Sequence, residues 1–118
     1  MSDRIKFLLH QGKKVVFVDS SDLGPKEIVE LLPKVTKIMI ANQCHLLLQD
    51  VSNTRVDESV KTAALESVTT IARTTGREPC SAFIGMKGIQ KIIANATVKG
   101  QFFAGTKQEA MDWLLKQA

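Results

Sequence analysis

Four short apolar runs set the terms for this chain: KVVFVD at 14–19, CHLLLQDV at 44–51, PCSAFIGM at 79–86 and QFFAG at 101–105. Each has the length of a strand and is bounded by turn-forming residues, and the intervals between them are mostly long enough to hold a helix. Strands joined by helices are normally parallel, because a right-handed crossover returns each helix to a face of the same sheet. The pattern therefore predicts an α/β domain built on a mostly parallel sheet.

A further strand precedes these runs. Ile5, Phe7 and Leu9 alternate within RIKFLL, the period of a half-buried strand. His10-Gln11-Gly12-Lys13 then forms a short glycine-containing connection, so the first two strands read as an antiparallel hairpin.

The intervals have helical signatures. Gly24-Pro25 opens the first helix, whose stripe runs through Ile28, Leu31, Leu32, Val35, Ile38 and Met39. Pro33 should kink it or start a fresh helix near Leu32. Thr54-x-x-Asp57, with Asp57 and Glu58, suits the start of a second helix carrying Val60, Ala64, Val68 and Ile71, and Gly76 fits its end. Gly85 and Gly88 bracket the entry to a third helix with Ile89, Ile92, Ile93 and Ala96. Thr106-x-x-Glu109 caps a last helix with Ala110, Trp113 and Leu114 on one stripe. The expectation is one domain over residues 1–118: a five-stranded, mostly parallel sheet with an N-terminal hairpin and about four helices.

Composition narrows the function classes. A hydrophobic fraction of 44% and a charged fraction of 24% match a packed globular domain and argue against disorder. No apolar run is long enough to span a membrane and the first residues lack a signal-peptide pattern, so a cytoplasmic location is expected. The net charge of +4 is spread along the chain without interleaved aromatics, which argues against specific nucleic-acid binding. Cys44 and Cys80 lie far apart and read as small buried hydrophobes rather than as a redox pair.

No catalytic constellation is visible. His10 lies in the hairpin turn and His45 early in a strand, away from any nucleophile; two histidines and two cysteines without paired spacing do not form a metal set, so no cofactor is expected. Glycine-rich phosphate loops of the two common kinds are missing. A two-component receiver would account for acids Asp19, Asp22 and Asp50, but it needs another strand between them. In open α/β sheets, ligands gather beyond the carboxyl ends of the strands. Three loops should meet there: Asp19, Ser20 and Asp22; Asp50, Ser52, Asn53, Thr54 and Asp57; and Gly85 with Gly88. These residues read either as caps and turn formers or as a shared surface for a partner or ligand.

The succession of elements resembles the STAS family, the anti-sigma-factor-antagonist fold, over nearly the whole chain. The C-terminal third carries the resemblance most closely: Phe83-Ile84-Gly85-Met86, the Ile92-Ile93 helix, Phe102-Phe103, and Thr106 to Leu115 look like the family's closing strand-helix-strand-helix. The chain better resembles the divergent SpoIIAA-like branch, related in fold to CRAL-TRIO lipid-binding proteins. The resemblance implies a non-catalytic regulatory module with a protein partner; the alternative is a small-molecule, anion or lipid-binding domain, and a homo-oligomer is compatible with either. In signalling members of the family a serine opening the helix after the third strand, in a motif near D-S-S-G-L, is phosphorylated. Here the segment reads Asp50-Val51-Ser52-Asn53-Thr54-Arg55-Val56-Asp57, which departs from that motif and offers Ser52 and Thr54 as acceptors. Asp19-Ser20-Ser21-Asp22-Leu23 is closer in letters but follows the second strand.

Overall fold

Gln11 and Gly12 both have positive φ, 51° and 77°, the geometry of a two-residue hairpin turn whose twist matches that of paired strands. The turn joins β1 (Ile5–His10) to β2 (Lys13–Asp19) in antiparallel register, with Ile5 opposite Val18 and His10 opposite Lys13. The computed structural model describes residues 4–54, 57–85 and 101–117. Parallel strands β3 (Leu46–Asp50), β4 (Cys80–Ile84) and β5 (Gln101–Ala104) follow, and the sheet order is β1-β2-β3-β4-β5.

Each later strand is shorter than its apolar run for a local reason. Cys44 N–H donates to Met39 O at the end of the preceding helix, so it belongs to the connection. Pro79 has no N–H for the ladder. Gly85 turns out of β4 at φ +84°.

Among the described residues the helices are α1 (Pro25–Ala41), α2 (Glu58–Thr75) and α3 (Lys107–Gln117). The helix expected around Ile89, Ile92, Ile93 and Ala96 lies outside the described residues. No described helix is long and apolar enough to cross a membrane.

Alternation along the strands feeds two cores. Val16, Val18 and Leu47 face α1, packing against Leu31, Val35 and Met39 and against Ile71 of α2. Val15, Leu46, Leu48, Ala82 and Ala104 face the other way and are covered by Ala110, Met111 and Leu114 of α3. Trp113 stacks on Phe102, ring centroids 5.3 Å apart, and ties α3 to β5.

Two expectations need correction. Pro33 starts no fresh helix: α1 is continuous across it, and Pro33 is exposed. The missing N–H removes only one bond, and the apolar stripe at Ile28, Leu31, Leu32, Val35 and Met39 stays buried on both sides of it. Second, Ile5, Phe7 and Leu9 do share a face, opposite Val18, Val16 and Lys14, but only Ile5 packs against the core. Phe7 is 45% exposed and Leu9 71%, because the cover over β2 does not extend to the outer strand.

Candidate functional site

The parallel register fixes where the loops emerge. Asp19 lies beside Asp50, Asp50 beside Ile84, and Ile84 beside Ala104, so β2 to β5 end at one level. The turns after β2 and β3, and Gly85 after β4, therefore form a common rim.

The first two loops are built alike, from the pattern D-x-S-[D/N] at Asp19 to Asp22 and at Asp50 to Asn53. Asp19 Oδ1 accepts from Ser21 N–H at 3.0 Å and from Ser21 Oγ. Asp50 Oδ1 accepts from Ser52 N–H at 3.0 Å and from Ser52 Oγ at 2.6 Å. One residue further on, Asp22 and Asn53 both take the left-handed conformation, at φ 65° and 54°, which short polar side chains tolerate better than most.

The two turns also hold each other. Ser20 N–H donates to Asp50 O, Asp22 N–H donates to Ser52 O at 3.1 Å, and Asn53 Nδ2 donates to Asp22 Oδ1 at 2.7 Å. Thr54 is buried, and its hydroxyl donates to Ser20 O at 2.8 Å. Gly85 closes the third side: a Cβ there would sit 2.0 Å from Ser52 Oγ and 2.9 Å from Ser52 Cα. Asp19, Ser52 and Gly85 thus share one rim, and Ser52 occupies its middle, half-buried.

Asp57 stands apart from this cluster in role. It is the exposed N-cap of α2, accepting from Ser59 N–H at 2.9 Å and Val60 N–H at 3.2 Å. The helix opens there and not at Thr54, whose hydroxyl is turned inward to Ser20. Gly88 lies outside the described residues.

Two further residues, not among the expected site residues, take part. Ser21 duplicates Ser52, and the repeated D-x-S spacing was the available signal. Arg4, before β1, donates from Nη1 to Asp19 O at 3.1 Å and Ser21 O at 3.0 Å, with Asp19 Oδ1 3.9 Å away. Nothing local in sequence joins Arg4 to that turn; the hairpin brings them together.

The Ser21 hydroxyl bond, helped by Ser21 N–H, holds the Asp19 carboxyl below its ordinary value despite some burial. Ser59 does the same for Asp57. At the other end of the sheet, burial lowers His45, assisted by the Arg77 charge, and its Nε2 lies 2.9 Å from Thr75 Oγ1. Burial raises the thiols of Cys44 and Cys80, which are both free. Among the described residues no group of three or more His, Cys, Asp or Glu side chains is placed to hold a metal ion.

These shifts predict a pH dependence of stability. A histidine held neutral by the fold binds its proton more readily when unfolded, so stability is lost as pH falls below the ordinary histidine range. The depressed carboxyls at Asp19 and Asp57 stabilise the fold above the ordinary carboxylate range, and that contribution is lost as pH falls through their lowered values. Urea midpoints should therefore fall in two stages on acidification. H45Q should remove the first stage and D57N should reduce the second; a midpoint indifferent to pH below neutrality would contradict both assignments.

No protein-family model matches the chain, and no curated protein matches it. Solved structures do. One is an uncharacterised protein of the DUF3478 family with a SpoIIAA-like fold from Shewanella loihica, 18% identical, covering 93% of this chain and 91% of its own, at TM-score 0.63. Another is a serine-to-glutamate variant of RsbS from Moorella thermoacetica, 18% identical over 98% of this chain and 97% of its own, at 0.64. A third, from Thermotoga maritima, is described as a candidate anti-sigma factor antagonist and is 12% identical, covering 96% of both chains, at 0.68. With coverage near-complete on both sides and TM-scores of 0.63 to 0.68, this chain has the SpoIIAA-like, STAS-type fold.

Proposed function

We propose that the chain is a regulatory module that captures a protein partner through the rim, with Ser52 as the position where added charge controls capture. The observation that carries this reading is the setting of Ser52: half-buried between the Asp19–Asp22 turn and Gly85, its hydroxyl 2.6 Å from Asp50 Oδ1, and backed by a glycine that leaves no room to retreat. A phosphate or carboxylate at that position would meet the Asp50 charge at close range and would change the rim's surface potential. Thr54, being buried and bonded to Ser20 O, is the brace rather than the acceptor. The solved neighbour carrying a glutamate in place of serine supports attention to a serine in this fold.

A protein partner fits better than an anion. The N–H groups of Ser20, Ser21, Asp22, Leu23, Val51 and Ser52 are all engaged by carbonyls or carboxylates of the rim itself, and Asp19, Asp22 and Asp50 would repel negative charge. A groove of about 580 Å³ between α1 and α2, lined by Val29, Leu32, Pro33, Ile40 and Ala63 among others, lies on the helical face and not at the rim.

The test is quantitative capture from extract by immobilised wild type, S52A and S52D, with S59A as a control beyond the rim. S52D should weaken recovery of the bound proteins at least ~10-fold, about 1.4 kcal/mol, S52A less, and S59A not at all. Equal recovery by wild type and both Ser52 variants would show that the rim is not the contact surface.

A further inference from the structure

The outer edge of β1 combines two features seen together nowhere else in the described sheet. The first is backbone. Asp19 N–H donates to Arg4 O, so 4/19, 6/17, 8/15 and 10/13 are the hydrogen-bonded pairs of the hairpin. The alternate residues Ile5, Phe7 and Leu9 therefore aim their N–H and C=O groups away from β2, and no described strand pairs with that edge. The second is side chain. Phe7 and Leu9, on those same residues, are among the large hydrophobics that remain exposed. Natural edge strands usually carry charge or proline at such positions to prevent pairing.

We infer that this edge pairs with the same edge of a second copy, antiparallel about a two-fold axis at Phe7, to form a continuous ten-stranded sheet. An exposed row of donors and acceptors specifies an extended strand as its complement, which narrows the occupant to a β-strand. Side-chain matching then selects the register, because the outward apolar row of β1 complements an antiparallel copy of itself. With Phe7 opposite Phe7 of the second copy, Ile5 meets Leu9 and all three outward residues are bonded. On the other face Lys6 meets Leu8 and Arg4 meets His10. Shifting the axis to Lys6 would set Lys6 directly against Lys6 and leave Leu9 unpaired; shifting it to Leu8 would leave Ile5 unpaired. Like edges joined by a two-fold close into a dimer, whereas β1 on the β5 edge of another copy would propagate without end. The proposal does not depend on the rim, which lies elsewhere on the sheet and would remain available in the dimer.

The register makes a specific demand, because residue 7 faces itself. Sedimentation velocity of the wild type from about 1 µM to about 1 mM should show the mass rising from 13.0 kDa toward twice that value. F7K and F7E should each weaken association at least ~10-fold through like-charge opposition, and an equimolar mixture of the two should restore it. Phe7 is partly exposed, so both variants should fold, with Trp113 emission as the check; L9K, at a position 71% exposed, gives an independent weakening variant. A wild type that stays at 13.0 kDa throughout would overturn the inference, as would undiminished association of F7K and F7E, or failure of the folded mixture to recover.

Discussion

Gly85→Val should cost the protein about 3 kcal/mol or more, a large share of the ~5–15 kcal/mol that usually separates folded from unfolded domains. Two separate penalties combine. At φ +84° a β-branched residue is held in a conformation that disfavours it, worth roughly 1–2 kcal/mol. Its Cβ would also stand 2.9 Å from Ser52 Cα, and this clash cannot be relieved by rotating a side chain because the obstacle is backbone. Either β4 must end differently or the Asp50–Ser52 turn must move. Gly85→Ala should show the same defect at smaller size, since it adds the Cβ without the branching. Urea denaturation measures the loss, and capture by the variant should fall with it even under conditions where it remains folded. A valine variant as stable as wild type would mean that Ser52 is not held as described.

Leu48→Ala is expected to cost about 3 kcal/mol, within the ~2–5 kcal/mol usual for such truncations in tight cores. Leu48 is fully buried in β3, between Phe17 of β2 and Ala82 of β4, in the core sealed by Leu114. Neighbours on both sides are strands bonded into the sheet, so the vacated space cannot close by collapse, and the lost contacts add to the lost burial. The urea midpoint should drop with an unchanged denaturant slope, while Leu48→Met should cost less than about 1.5 kcal/mol. A loss under 1 kcal/mol would show that the core around β3 is loosely packed.

The elements were legible in the sequence because they rest on local chemistry. The strand runs are apolar and short, Gly76 takes the left-handed position at the end of α2 with φ 80°, and Thr106 Oγ1 accepts from Glu109 N–H as its spacing predicts. Exposure of Phe7 and Leu9 was not legible, since alternation tells which residues share a face and not whether a helix covers that face. The rim was legible in outline, because parallel strands of similar length must end together. Its internal wiring was not. That Thr54 is buried, that Asp57 is the N-cap, and that Arg4 reaches the first turn all depend on which loop lies against which, a matter of distant pairing and not of neighbouring residues.

The mutual bracing of the two aspartate–serine turns has a mechanical outcome. Pulling Ser52 outward would strain its carbonyl's bond to Asp22 N–H, and displacing Asp22 would strain the turn that Arg4 grips from the base of β1. A push delivered at the centre of the loops is therefore shared sideways across the ends of three strands, so this end of the sheet yields as a single plate or holds still.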